Sequence, residues 1–342
     1  MELVIIIIII SIIMAHLNKN ICVVGAGKWG KNHISTLNKI NCLRGIVEQS
    51  INVRNTFKKK YPNVKIFQNI QDAINFGFDG FIVATPAETH YNIAKKIIES
   101  KNHVLVEKPI TTTYSDAKEL NNLAKNNKVN LMVGHLLLFH PAIIKIKSLI
   151  DNGKIGKLQY IYSNRLNLGT IRSEENVFWS FAPHDISLLQ YFIQDFPLNI
   201  VSNGGAFIQK DIHDTTMSFF EYPNNIRAHI YVSWLHPFKE HRLVIIGSEG
   251  MISYEDSDTD KDIKFYDKKY ILNDEIPVKK DGHSTIINYK KDLPLENELK
   301  YFISHLNDDF IDIANGDAAV EVVKILEEAT KSLIDTEVHN EK

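Results

Sequence analysis

The chain has 342 residues, 44% of them hydrophobic and 23% charged. That is too long for one small core, so two domains of an ordinary soluble globular protein are expected. Its 39 basic and 41 acidic side chains leave a net charge of −2, which excludes the electrostatic footprint of a partner for nucleic acid or an anionic membrane. Two cysteines, Cys22 and Cys42, fall in or beside strand-like runs. They read as small buried hydrophobes in a reducing, cytoplasmic compartment. No Cys/His spacing reads as a metal site.

In chain order, the first segment is unusual: Leu3 to Ile13 is nearly all isoleucine. It is too short to span a bilayer and lacks the basic flank of a secretory signal. Three readings compete: a leader ahead of a start at Met14, an extra strand or tail, or a membrane anchor. The first is favoured, and residues 1–17 are set apart as an apolar extension. From 18 to 134, strands are expected at 20–25, 42–48, 64–67, 79–84, 103–106 and 129–133. Helices between them start near Lys28, Val53, Ile70, Thr89 and Ser115. Six strands with crossover helices predict an α/β domain, a doubly wound parallel sheet with functional residues at the C-terminal strand ends.

From 135 to 342 the rhythm changes. A helix over 141–152 precedes strands at 157–168, 199–209, 214–222, 226–235, 240–247, 250–254 and 263–272. A helix over 182–194 interrupts the series, and helices over 296–314 and 318–334 end it. Short turns such as Pro223-Asn224-Asn225 imply antiparallel pairing. The second domain is therefore read as α+β, with an open-faced, mostly antiparallel sheet whose free face suits a subunit contact.

The strongest motif is Gly25-Ala26-Gly27-Lys28-Trp29-Gly30, between a strand and a helix. The first glycine allows a tight turn, the second a close approach to a pyrophosphate, and the third close helix–strand packing. Lys28 and Trp29 stand in the same phosphate-facing turn. Glu48 ends the next strand near the spacing of a ribose-binding carboxylate. NAD is expected in preference to NADP, because this carboxylate repels a 2′-phosphate. Arg54 is the residue that would oppose this. The alternative is a ligand-free glycine turn with a solvated Glu48.

Three further segments carry candidate chemistry. Ala84-Thr85-Pro86 with His90 should border the cofactor crevice; the alternative is an ordinary turn with Thr85 as a cap. Glu107-Lys108-Pro109 follows a strand end, where proline can aim Lys108 inward, through a cis or a trans bond. A lysine tuned by partial burial can hydrogen-bond or deprotonate a hydroxyl. The alternative is a surface lysine paired with Glu107. In Trp179-Ser-Phe-Ala-Pro183-His184-Asp185, His184 can act as an acid or base and Asp185 can orient it, or both can simply pack at a helix start. Arg165, Asn167, Arg172, Glu175 and Asn176, with Trp234, His236, Lys239 and Glu240 farther on, suit a sugar and a phosphate, since arginine clamps anionic oxygens and indole covers sugar faces. They equally suit a solvated strand edge. His135 and His140 flank the domain junction, as cleft or hinge residues.

Together these residues resemble the Gfo/Idh/MocA oxidoreductases: Gly25-x-Gly27-x-x-Gly30, Glu48, Ala84-Thr85-Pro86-x-x-x-His90, Glu107-Lys108-Pro109 and His184-Asp185, spanning 20–336. The resemblance implies a Rossmann domain, then an α/β domain whose open sheet builds dimers or tetramers. It implies cofactor contacts at Gly25, Gly27, Lys28, Trp29, Gly30, Glu48, Thr85, Pro86, His90 and Glu107, and catalysis by Lys108 and His184. The stretches 164–179 and 233–240 look like enzymes that oxidise nucleotide-activated N-acetylhexosaminuronates at C3 for surface glycans. Substrate contacts would then come from Arg165, Asn167, Arg172, Trp179, Asp185 and Trp234. Many family members carry an aspartate four residues before the histidine; here that position is Ser180. The competing expectations are a dehydrogenase of a free sugar, inositol or amino sugar, and a non-catalytic sugar-sensing regulator.

Overall fold

The computed structural model describes residues 19–307 and 310–340. The isoleucine run, Met14 and the rest of the apolar extension lie outside the described residues. The chain forms two compact units. One contains the described residues up to Leu136 together with Leu293–Val323; the other contains Leu137–Asp292 and the residues from Lys324 onward.

The first unit is built on β1 (Ile21–Val24), α1 (Lys28–Lys39), β2 (Leu43–Val47), α2 (Ile51–Lys60), β3 (Lys65–Phe67), α3 (Ile70–Phe76), β4 (Gly80–Val83), α4 (Ala87–Glu99), β5 (His103–Val106), α5 (Tyr114–Asn127) and β6 (Leu131–Val133). The strands form one parallel sheet in the order β3-β2-β1-β4-β5-β6. This is the doubly wound sheet the alternating pattern predicts. β1 and β4 are buried along their whole length, which is why they read as unbroken apolar runs. Strand order reverses between β1 and β4, so the crevice outside their C-terminal ends is the place for a ligand.

In the second unit come α6 (Pro141–Asp151), β7 (Leu158–Leu168), α7 (Val177–Ile193), β8 (Asn199–Gly205), β9 (Thr215–Glu221), β10 (Arg227–Ser233), β11 (Leu235–Gly247), β12 (Met251–Glu255), β13 (Ile263–Tyr266), β14 (Lys269–Asn273), β15 (Ile276–Lys280) and β16 (Ser284–Ile287). Eight of these strands form a sheet in the order β16-β13-β12-β11-β7-β10-β9-β8. Within it only β7 and β10 pair in parallel. α7 packs on one face, over β7, β9 and β10. Val201 and Phe219 remain exposed.

Three expectations change. The run 263–272 is two strands: β13 stays in the sheet, whereas β14 pairs with β15 in a separate hairpin turning at Asp274-Glu275, both at positive φ. β15 and β16 carry too little apolar alternation to be read as strands. The helix at 182–194 starts earlier, at Val177, where the Asn176 side chain accepts the Trp179 N–H at 3.0 Å. The helix expected over 296–314 ends at Ser304: α8 spans Pro294–Ser304 and packs against α1 in the first unit. Asn130 fixes the break, donating to the His305 carbonyl at 2.7 Å. The chain then pairs briefly along β6, where Val133 N–H donates to the Ala314 carbonyl. Last comes α9 (Gly316–Asn340). Among the described residues no helix is long and apolar enough to cross a membrane.

Candidate functional site

Each unit carries part of the predicted site. In the first unit, the glycine turn has the geometry its spacing predicts. Gly25 sits at φ +94°, and a Cβ there would lie 2.7 Å from the Ala84 carbonyl oxygen. A Cβ on Gly30 would lie 2.0 Å from the Gly25 oxygen, so this glycine lets α1 press against the turn. A Cβ on Gly27 would meet nothing within 4 Å. α1 begins at Gly27 with no side-chain cap and no acidic residue in its first turn. With no side chain capping it, the positive dipole end of this helix fits an anionic pyrophosphate. Lys28 and Trp29 are exposed beside this opening.

Glu48 is fixed by the backbone. Its Oε2 accepts the Ala26 N–H at 3.0 Å and its Oε1 accepts the Ser50 N–H at 2.8 Å. A carboxylate has about four acceptor sites, so two bonds leave capacity for ribose hydroxyls. Arg54 is turned inward: Nη1 donates to the Glu48 and Gln49 carbonyls at 2.9 and 2.6 Å, and Nη2 to Gln68. The cation that would welcome a 2′-phosphate is engaged elsewhere.

Beyond β4, Thr85 borders the same turn, its Oγ1 accepting from Thr89 at 2.7 Å, and Pro86 precedes α4. His90 is a correction: it is 1% exposed, and its ring nitrogens lie 2.8 Å from the Thr85 and Pro109 carbonyls. It ties the two loops together from within the core rather than touching a ligand. The Lys108–Pro109 peptide bond is cis. Behind it, Glu107 Oε1 lies 2.7 Å from His33 Nε2, and Oε2 accepts the Lys108 N–H at 3.2 Å. Burial alone would raise the Glu107 carboxyl, but the His33 hydrogen bond and the nearby positive charges hold it below the usual carboxylate range. Lys108 is half-buried. His135 is buried, and burial and the charge of Lys108 push its imidazole down to about 4, against the opposing pull of Glu107. It is therefore neutral near pH 7.

In the second unit, α7 presents His184 half-buried, one residue after Pro183. Pro183 has no N–H to return to the Trp179 carbonyl. Ser187 Oγ donates to the His184 carbonyl at 2.7 Å. Asp185 points the other way and is 0% exposed. It accepts from Arg165 Nε at 2.9 Å, Arg165 Nη2 at 3.0 Å and Ser163 Oγ at 2.7 Å. This corrects the expectation for both residues: Arg165 and Asp185 form a buried bidentate pair that fastens α7 to β7. Trp234 is a second correction. At 1% exposure it lies in the core, edge-on to Phe181, where an indole cannot cover a ligand. Trp179 donates its indole N–H to Thr330 Oγ1 at 3.0 Å, a structural bond. Arg172 is exposed and pairs with Glu175 at 3.2 Å. Asn167 keeps a buried Oδ1 with no hydrogen-bond partner among the described residues. His140 caps α6 by accepting the Ala142 N–H.

The fold thus gathers Gly25, Gly27, Gly30, Glu48, Thr85, Glu107 and Lys108 at one edge of the parallel sheet. His184 belongs to the other unit. Sequence reasoning missed His33 and Ser163. Both sit at regular buried positions of an element, with no local signal that a carboxylate meets them from a distant segment.

Comparisons with known proteins agree with this fold. The family model described as "Oxidoreductase family, NAD-binding Rossmann fold" matches residues 19–135, and the Gfo/Idh/MocA C-terminal domain model matches 143–253. The scyllo-inositol 2-dehydrogenase (NAD(+)) of Bacillus subtilis is 26% identical over 188 residues, covering 52% of this chain and 55% of that protein. Among solved structures, UDP-N-acetylglucosamine 3-dehydrogenase GnnA from Acidithiobacillus ferrooxidans superposes with a TM-score of 0.81 at 20% identity, covering 92% of this chain and 97% of that one. The WlbA dehydrogenase from Bordetella pertussis, crystallised with NADH and UDP-GlcNAcA, gives a TM-score of 0.76 at 18% identity, with 93% and 97% covered. At these identities the likenesses are of fold. Matched by family models in both halves, the chain belongs to the Gfo/Idh/MocA oxidoreductases, with an NAD-binding Rossmann domain.

Proposed function

We propose that this oxidoreductase oxidises a secondary hydroxyl, at C3, of a nucleotide-activated N-acetylhexosaminuronate. The observation that carries the chemistry is Lys108, set at the C-terminal end of β5 beside a part-buried carboxylate and a neutral imidazole. The substrate class is supported by the segment 164–179 and by the fold shared with GnnA and WlbA. The cofactor would be held by the open N-terminus of α1, Gly25, Gly27, Lys28, Trp29 and Glu48; when bound, NAD supplies the hydride acceptor. The chain's own task is to manage one proton. The His184 imidazole accepts it from the hydroxyl, and the Lys108 ammonium stabilises the negative charge developing on that oxygen. Arg172, exposed on the β7–α7 loop, is the remaining candidate clamp for an anionic group. The protein works as a cytoplasmic homodimer or homotetramer through the open sheet face.

A panel of UDP- and dTDP-sugars, scored for NADH absorbance, tests this reading. Turnover should be greatest with an N-acetylhexosaminuronate, with deuterium lost from C3; loss from C4 or C6 overturns it. Lys108→Met and His184→Asn should each lower kcat by about 10²–10⁴-fold. The 26% identity with scyllo-inositol 2-dehydrogenase favours a second reading, oxidation of a free polyol. Turnover of inositols without turnover of nucleotide sugars would establish it.

A further inference from the structure

Glu298 lies on the buried face of α8 and is 0% exposed. Neither of its carboxyl oxygens has a hydrogen-bond partner among the described residues. A buried polar group left so is destabilising, and a charged one more so. Leucine at this position would bury at no such cost, so packing does not explain the residue. α8 packs against α1, and α1 carries His33, which is also fully buried. His33 Nε2 is engaged by Glu107, while its Nδ1 has no partner among the described residues. Two helices in contact thus each bury one unmet polar group. The carboxyl on the second helix also feels the charge of Glu107.

We propose that Glu298 is a positioning residue: it hydrogen-bonds His33 Nδ1 across one buried water, and so fixes the His33–Glu107 pair that braces Lys108. The proposal rests on the assignment of Lys108 to catalysis. Burial, and after it the Glu107 charge, push the Glu298 carboxyl well above its usual range, which favours its neutral form. A neutral carboxyl can both donate and accept. It therefore matches Nδ1 whether that nitrogen carries a proton or a lone pair, which a carboxylate or an alkyl group cannot do. The arrangement runs Glu298, His33, Glu107, Lys108 N–H.

The test uses the full chain with ¹⁵N-labelled histidine and lysine, with and without NADH. Glu298→Leu should fold but melt below wild type, because it leaves the buried His33 Nδ1 without its partner. It should shift the His33 Nδ1 resonance and move the titration midpoint of Lys108, identified by its loss in Lys108→Met. Glu298→Gln, which keeps a donor and an acceptor, should restore both signals. In turnover, Glu298→Leu should lower kcat roughly tenfold with little change in KM for NAD, and Glu298→Gln should recover most of the loss. A His33 signal indifferent to Glu298→Leu overturns the proposal, as does a shifted His33 signal with an unmoved Lys108. Both readouts need no substrate, so failure of every sugar to react would count against the proposed function alone. If Glu298→Leu does not fold, the wild-type His33 Nδ1 signal decides: the shift of an unbonded nitrogen overturns the proposal.

Discussion

Arg165 and Asp185 are joined by two parallel hydrogen bonds, of 2.9 and 3.0 Å, in the core of the second unit. Burial alone would weaken the guanidinium charge; the charge and hydrogen bonds of Asp185 more than offset it. Breaking such a pair leaves an uncompensated buried charge, whereas replacing both partners by apolar groups is often nearly neutral. Arg165→Met should therefore lose about 3–5 kcal/mol in urea unfolding. The double variant Arg165→Met/Asp185→Leu should recover most of that loss. If Arg165 instead served a ligand, the single variant would raise KM and leave unfolding unchanged.

Glu48 should set the cofactor preference. Its carboxylate is held by two backbone N–H groups, and Arg54 is engaged with carbonyls. Glu48→Ala should cut the NAD-to-NADP ratio of kcat/KM by about 10–100-fold, the equivalent of one charged hydrogen bond. NAD affinity by calorimetry should fall with it. An unchanged ratio would remove Glu48 from the ribose site.

His135 should make the protein acid-sensitive. Its imidazole is held down to about 4 in the folded protein, against about 6.5 when unfolded. Between these values the unfolded chain binds more protons, so stability rises with pH across this window and is lost as pH falls. The shift corresponds to roughly 3 kcal/mol, fully present above about pH 6.5. His135→Gln should flatten the slope of unfolding free energy against pH between 4 and 6.5 by that amount, read from urea melts at a series of pH values. An unaltered slope would mean that the histidine is hydrated.

The parallel sheet was legible because period and glycine spacing are local properties. β1 with its glycine turn, Glu48 and Glu107-Lys108-Pro109 each announce themselves within about ten residues of chain. The roles of Trp234 and Asp185 were not legible. An indole next to a strand end, or a carboxylate beside a histidine, looks the same in sequence whether it faces solvent or core. What decides is a partner from another element: Arg165 for Asp185, the packing around Phe181 for Trp234. His33 and Glu298 are hidden for the same reason, since helical periodicity marks them as buried but cannot say against what. The end of α8 at Ser304 depends on Asn130, a residue remote in sequence.

Gly27 and Gly30 separate folding from cofactor binding within one motif. A Cβ on Gly30 would lie 2.0 Å from the Gly25 carbonyl oxygen, and the obstacle is backbone that cannot rotate away. Gly30→Ala should force α1 off the turn, lowering stability by about 1–3 kcal/mol, as overpacking does, and weakening NAD binding along with it. A Cβ on Gly27 would meet no protein atom within 4 Å, and Gly27 lies at φ −70°, which any residue adopts. Gly27→Ala should therefore melt within about 0.5 kcal/mol of wild type, like a surface substitution. Its added methyl group stands where the helix N-terminus opens, so NAD affinity should fall, with little effect on the fold. Melting curves with and without NAD would separate the two: wild type and Gly27→Ala should coincide without cofactor and diverge with it, because only wild type gains full ligand stabilisation. Equal NAD-induced shifts in both would mean that the pyrophosphate does not lie against this turn.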